Sequence, residues 1–254
     1  MQLVDPIRRG RERPENLAER IYGQLKDDIF EFRLLPGDRF SEGEVAERMA
    51  ASRTPVRQAL YRLEREGYLE VYFRSGWQVK PFDFAHFEEL YDVRIVLEQA
   101  AVKRLCDREA GETPALLDEL KRIWMVAPEQ RLEDGREVSR LDERFHCQLG
   151  EATGNREMAR LHGEVSEKIR IIRRLDFTQT PRVEATYDEH ARILGAILSR
   201  RCEEAQLLLK AHIEVSKAEV RKITLHMLHS ARERCAACAG SVSYTHLTLP
   251  TICS

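Results

Sequence analysis

From residue 84 to about residue 228, apolar side chains recur at three- and four-residue steps and never alternate long enough to make a buried strand. Stripes of this kind, with no sheet to cover, can be buried only against one another, so this part of the chain reads as a helical bundle. Six helical stretches are predicted, at about 84–108, 113–126, 131–153, 155–175, 182–199 and 202–228. The breaks are marked by Gly111–Pro114, Ala127-Pro128, Gly154-Asn155, Thr178–Pro181 and the neighbourhood of Ser199–Cys202. With 254 residues, 43% of them hydrophobic and 33% charged, the chain can form a sizeable core under a heavily charged surface. No run approaches the roughly 18 apolar residues of a membrane span, and the N-terminus lacks an apolar stretch of signal-peptide length. The expectation is a soluble, cytoplasmic protein with no membrane partner.

The segment before Pro81 reads differently: helix, turn, helix, turn, helix, hairpin. Leu17, Ile21, Leu25 and Ile29 make an apolar stripe on a first helix over about 15–33, which ends in the turn residues Leu35-Pro36-Gly37-Asp38. Ser41 and Glu44 form a capping-box pattern that starts a short helix through Met49. Thr54 is expected to cap a third helix with Pro55 at its first position, and Gly67 to close it. Leu69–Phe73 and Trp77–Lys80 then read as two strands around Arg74-Ser75-Gly76. The predicted organisation is a flexible arm at 1–14, a small helix-and-hairpin domain at 15–81, an all-helical domain at 82–230 and a tail at 231–254. Residues 241–254, SVSYTHLTLPTICS, resemble translated adapter read-through and are set aside as non-native.

Chemistry is concentrated in two places. The run Arg48–Arg62 holds four arginines and no acid. With Val56, Leu60 and Leu63 facing inward, Ser52, Arg53, Thr54, Arg57 and Gln58 lie at the exposed start of the third helix, where a recognition helix meets the major groove. Arginine can grip guanine O6/N7 with two bonds and glutamine can pair with adenine. Bulk charge does not argue for this: residues 1–81 carry 15 Lys+Arg against 14 Asp+Glu, and the whole chain has a net charge of −2. An Arg-rich helix is otherwise simply a solvated face, so order and spacing decide. Residues 17–80 closely resemble the winged helix-turn-helix domain of the GntR family of bacterial transcription regulators. The likeness rests on Leu35–Asp38, Glu44-Val45-Ala46, Ser52–Leu60, Leu63–Leu69 and Gly76–Val79. It implies that Arg53, Thr54 and Arg57 contact double-stranded DNA and that Gly76 lets the wing approach the duplex. Some members carry an operator-reading arginine where Gly43 stands here, so that contact is absent or made by a neighbour.

The second place is a set of four potential metal ligands. Asp142 and His146 lie four apart on one helix and point to one side. His190 shares a face with Val183, Tyr187, Leu194 and Ile197, and His212 with Ala205, Leu208, Leu209 and Val215, so both are expected inside. Buried histidines are commonly satisfied by hydrogen bonds alone, but three of them with a carboxylate on three helices are costly to bury unpaired. One divalent cation would satisfy all four. Zinc is the first expectation, with nickel, manganese or iron also admitted by such ligands.

The same region resembles the FadR C-terminal domain (FCD) of GntR regulators, through Tyr91–Glu98, Asp142–His146, Ala152–Asn155, Glu189–Leu194 and His212, together covering about 84–226. The resemblance is to the six-helix, VanR-like, metal-binding type. It implies an Asp and three His around a divalent ion that helps bind a small organic acid effector. Arg94 matches an arginine directed at the effector cavity, with an interhelical ion pair as the plain alternative. Asn155 is placed near the same pocket, or simply at a helix start. His86, His162, His226 and His229 are read as surface or packing residues.

These readings give a mainly α protein: a homodimeric repressor that binds a near-palindromic operator and is controlled by the acid beside the metal. A metal-dependent hydrolase is the rival from another class, and a metal-free regulator with core histidines a third reading. The hydrolase lacks a convincing general base and leaves the N-terminal reader unused. Six scattered cysteines in an intracellular chain do not suggest disulfides, and Cys235-Ala-Ala-Cys238 has no second pair to complete a zinc site.

Overall fold

The structure, a computed structural model, describes residues 14–72, 76–109, 114–177 and 180–220, together with 222, 230 and 233. Residues 1–13 of the expected arm, the wing tip at Arg74-Ser75, His226, His229, Cys235, Cys238 and residues 241–254 lie outside the described residues, while Pro14, the arm's last residue, opens the first helix. The chain divides into two compact units, one ending at Pro81 and the next beginning at Phe82.

In the first unit, α1 (Pro14–Phe30) is followed by β1 (Arg39–Ser41), α2 (Glu42–Arg48), α3 (Arg53–Arg65), β2 (Leu69–Tyr72) and β3 (Gly76–Val79). Ile21, Leu25 and Ile29 of the α1 stripe are buried, as are Val56, Leu60 and Leu63 of α3, and these two helices pack together. The expected hairpin is present but has a third strand. The antiparallel order is β1-β3-β2, with Phe40 and Val71 both opposite Trp77. A three-residue strand next to a capping box has too little alternation to be recognised from sequence. The Ser41–Glu44 capping box forms in full. The cap of α3 is Ser52 rather than Thr54, which moves Pro55 to the third helical position. That shift is tolerated because none of the first N–H groups of a helix has an intrahelical acceptor. Gly67 follows the C-cap with φ +84°, a conformation that favours glycine.

The second unit contains α4 (Phe84–Cys106), α5 (Ala115–Trp124), α6 (Gly135–Ala152), α7 (Arg156–Asp176), α8 (Thr180–Leu198) and α9 (Cys202–Val220). Residues 131–134, expected to be helical, lie instead between a single 3-10 turn at Pro128–Gln130 and the Asp134 cap of α6. α4 packs against α7 and α9, α6 against α5 and α7, and α8 against α9. Tyr91, Trp124, Phe145, Ile172, Leu194 and Leu209 are among the buried side chains between them. The buried side of α9 runs through Ala205, Leu209, His212, Ile213 and Val220; Val215, expected there, is 45% exposed. Three steps beyond His212, it falls on the edge of the stripe rather than at its centre.

One close approach fixes the start of α6. A Cβ at Gly135 would stand 2.1 Å from the carbonyl oxygen of Phe177. Gly135→Ala is therefore expected to destabilise the helical unit by about 1–3 kcal/mol in urea unfolding followed by circular dichroism. Gly163 on α7 has nothing within 4 Å of the same position. Gly163→Ala should raise stability by about 0.5–1 kcal/mol.

Candidate DNA interface and metal centre

Ion pairs sort the arginines of the first unit. Arg48 reaches Asp28 at 2.8 Å, and Arg62 bonds Glu19 and Glu66 at 2.5 and 3.2 Å, so these two are engaged within the protein. Ser52, Arg53, Thr54, Arg57 and Gln58 are all exposed and gather at the N-terminal end of α3. The Ser52 hydroxyl makes no capping bond, which leaves it available to an outside acceptor. Arg57 is clasped by Glu42, the first residue of α2, through Nε and Nη2 at 3.0–3.3 Å. Gly76 opens β3, directly after the undescribed wing tip. Gly43 lies one residue further along α2 than Glu42.

In the second unit, Asp142, His146, His190 and His212 converge, and one donor atom from each lies within 4.8 Å of the others. The Nε2 atoms of His146 and His212 are 3.1 Å apart, and those of His190 and His212 are 3.3 Å apart. Asp142 Oδ1 lies 3.3–3.8 Å from all three. All four side chains are almost completely buried, and Phe145 stacks on the His190 ring at 3.8 Å. α6 supplies the first two ligands one turn apart; α8 and α9 supply the others.

Carboxylates behind the imidazoles set their tautomers. Glu98 Oε2 is 2.6 Å from His146 Nδ1, and Glu189 Oε2 is 2.6 Å from His212 Nδ1. Each Nδ1–H donates to its carboxylate, which turns Nε2 toward the common centre. Burial disfavours the charged forms of His190 and His212: His190 is held well below its ordinary range and His212 is pushed down to about 4. Burial opposes the charge of Asp142, but bonding to His146 and His190 and the nearby Arg173 hold its carboxyl far below the usual range. The result is a set of ligand nitrogens facing one another across about 3 Å, with a carboxylate oxygen beside them. Donors about 2.0–2.2 Å from a common ion are themselves roughly 3–3.6 Å apart, so the donor set fits a divalent cation in both chemistry and spacing.

Around this centre lie further ionisable groups, Arg94 among them. Arg94 donates from Nε to Glu98 at 2.6 Å, an ion pair within α4 rather than between helices, and its Nη2 has no partner. Glu98 also meets His162 Nε2 at 2.9 Å, so His162, expected at the surface or in plain packing, is a buried member of this network. Burial opposes the His162 cation, but bonds to Cys147 and Glu98 push its pKa up to about 9. Arg173 Nε lies 3.0 Å from Asp142 Oδ2, and Arg182 Nη1 donates to Glu189 at 2.9 Å. Tyr91 Oη is buried without a hydrogen-bond partner. Asn155 accepts from Met158 N and caps α7, so its side-chain oxygen is engaged in the helix start. His86 is exposed beside Glu89 at 3.7 Å. Glu98, one turn after Arg94, and Glu189, next to His190, stand in the blocks Tyr91–Glu98 and Glu189–Leu194 that carry the FCD resemblance, but the sequence assigned neither of them a role.

Two predictions come from this geometry. Glu98→Gln should lower zinc affinity by about 10–100-fold in chelator competition, with the helical circular dichroism signal retained. The second concerns Asp176, whose carboxyl is pushed up from an ordinary 3.8 to about 8, chiefly by burial. Between these values the folded chain holds a proton that the unfolded chain releases, so this group's contribution to stability is lost as pH rises from about 4 to about 8. Asp176→Asn should flatten the fall in urea stability over that window.

Comparison with known proteins agrees with both units. Residues 17–79 match the model for bacterial regulatory proteins of the gntR family, and residues 89–215 match the FCD domain. The Nta operon transcriptional regulator of Aminobacter aminovorans is 32% identical over 184 residues, covering 72% of this chain and 84% of that one. The HTH-type transcriptional regulator YdhC of Bacillus subtilis (strain 168) is 29% identical over 222 residues, covering 87% and 97%. Among solved structures, a GntR transcriptional regulator from Rhodococcus sp. RHA1 superposes with a TM-score of 0.63 at 23% identity, covering 82% of this chain and 99% of that one. The E. coli McbR/YncC structure gives 0.61 at 18% identity, covering 81% and 97%, and so shares the fold.

Proposed function

The chain belongs to the gntR family of bacterial regulatory proteins, with an FCD domain behind its helix-turn-helix segment, and from that premise we propose a metal-dependent, acid-responsive repressor. That it is a DNA-binding transcription regulator, not an enzyme, follows from the family. The rest is our reading: a homodimer that places two copies of α3 on the half-sites of a near-palindromic operator. Arg53 and Arg57 read base edges, Ser52 and Thr54 bind backbone, Gln58 lies within reach of the groove and Gly76 brings the wing close.

In the helical domain, Asp142, His146, His190 and His212 hold a divalent ion, zinc foremost and nickel, manganese or iron otherwise. When bound, the ion supplies positive charge to a small organic acid. The chain's own donors orient that acid: Arg94 Nη2 and Tyr91 Oη are buried and unpartnered beside the centre. Each such group costs about 1–3 kcal/mol until something accepts its hydrogen bond, and a carboxylate accepts several. Asn155, engaged as a cap, contributes at most its amide. The observation that carries the reading is the set of buried, converging ligand atoms with the unsatisfied donors of Arg94 and Tyr91 next to them. Ligand binding lowers operator affinity only by its preference for one state of the dimer.

The experiment starts from a duplex selected with the protein from a random-sequence pool. Arg53→Ala should weaken binding to that duplex by about 1–3 kcal/mol in fluorescence anisotropy. Zinc-loaded wild type should release the duplex on titration with a member of a small-carboxylate panel, chosen because it raises the melting temperature. His212→Ala should bind the duplex but ignore the acid. An acid that binds wild type and never changes DNA affinity would refute the coupling.

A further inference from the structure

The clasp between α2 and α3 carries a consequence for how DNA is discriminated. Glu42 is the fixed half of the pair: its side chain is 13% exposed and it opens a helix locked by the Ser41–Glu44 capping box. Arg57 is the presented half, 57% exposed. The carboxylate takes Nε at 3.1 and 3.3 Å and Nη2 at 3.0 Å, which is the side edge of the guanidinium. Of the five N–H groups, two on Nη1 and one on Nη2 are left, and one from each nitrogen forms the end edge. That edge has the spacing of guanine O6 and N7. Resting on the reading of Arg57 as a DNA contact, we propose that Glu42 is a positioning residue for base recognition. It grips Arg57 from the side so that the end edge is presented to a guanine rather than swinging to a phosphate.

The pair acts on the two binding modes in opposite directions. A guanidinium already matched to a carboxylate gains less from a phosphate, and the carboxylate itself repels the DNA backbone. Non-specific affinity therefore falls. A guanidinium fixed in one plane loses less freedom on meeting a base, so the specific contact is strengthened. Discrimination is a difference of affinities, and Glu42 widens it from both sides. This matters more in a chain with Gly43 beside it, since that position adds no side chain of its own to the reading surface.

The test compares the selected duplex with a scrambled duplex of equal composition, using full-length wild type, Glu42→Ala, Glu42→Gln, Arg57→Ala and the double variant Glu42→Ala/Arg57→Ala. Melting temperatures check that each is folded. Glu42→Ala should reduce the ratio of selected to scrambled affinity by about tenfold or more. It should also bind the scrambled duplex more tightly, with a salt slope steeper by about one. Glu42→Gln, which keeps an acceptor without the charge, should lie between Glu42→Ala and wild type. The base pair whose preference relaxes should be the one relaxed by Arg57→Ala, and the double variant should discriminate no worse than Arg57→Ala alone. Unchanged discrimination in Glu42→Ala, or an added loss in the double variant, overturns the proposal while Arg57 stands as a contact. If Arg57→Ala itself leaves the selected duplex bound as before, the reading of Arg57 falls, and the role of Glu42 with it.

Discussion

Everything in the helical unit is organised by the need to bury three imidazoles and a carboxylate around one point. Imidazole nitrogens 3.1–3.3 Å apart in a dry interior beside a carboxylate are costly to bury, and no helix propensity offsets that cost. The surrounding side chains hold these groups in place. Glu98 and Glu189 fix the outer nitrogens of His146 and His212, Arg94 and Arg182 fix those carboxylates, and Arg173 sits on the far oxygen of Asp142. Three carboxylates thus meet three guanidiniums and the His162 imidazole, whose raised pKa of about 9 favours its charged form, before any ion is counted. A divalent cation added to this cluster increases its excess of positive charge, and in a low-dielectric interior that excess draws in an anion. The proposed acid and the proposed metal are therefore one electrostatic requirement rather than two.

The first unit solves a different problem with the same currency of charge. Its acids and bases nearly cancel, yet the ion pairs are not spread evenly. Asp28, buried beneath the end of α1, takes Arg33 and Arg48, and Glu19 with Glu66 takes Arg62. What this leaves outward is the start of α3, with Arg53 and Arg57 among small polar neighbours. Arg53 is exposed there and Arg57 is paired only at one edge, by Glu42, so this end of α3 offers cationic donors to a polyanion despite the balanced net charge.

Much of this was legible because the informative residues punctuate the chain. Gly154-Asn155 ended one helix and capped the next, Ser41 and Glu44 made both bonds of their box, and the i,i+4 spacing of Asp142 and His146 put two donors on one side of α6. What was missed lacked such marks. β1 is three residues long, the α3 cap lies two residues before the one chosen because proline is accepted anywhere in a first turn, and α6 begins late, after a 3-10 turn. Glu98, Glu189 and His162 look like ordinary members of charged helices until helix packing is known. Gly135 carries no signal at all, since the Phe177 carbonyl it admits is forty-two positions away.

Glu98 is the residue through which the centre can be felt beyond itself. Its two oxygens serve His146 on α6, His162 on α7 and Arg94 on its own α4, so any change in the charge or position of the His146 ring is shared by three helices at once. Breaking one partner from a buried ionic cluster costs several kcal/mol, so the cluster moves together or not at all. α4 is also the helix that follows Pro81, where the chain leaves the DNA-binding unit. In the proposed repressor, a ligand that changed the balance at the centre would act on α4, the first helix after that unit in the sequence. The coupling in the proposed repressor needs no chain of side-chain contacts beyond Glu98, only two arrangements of α4 that the acid distinguishes.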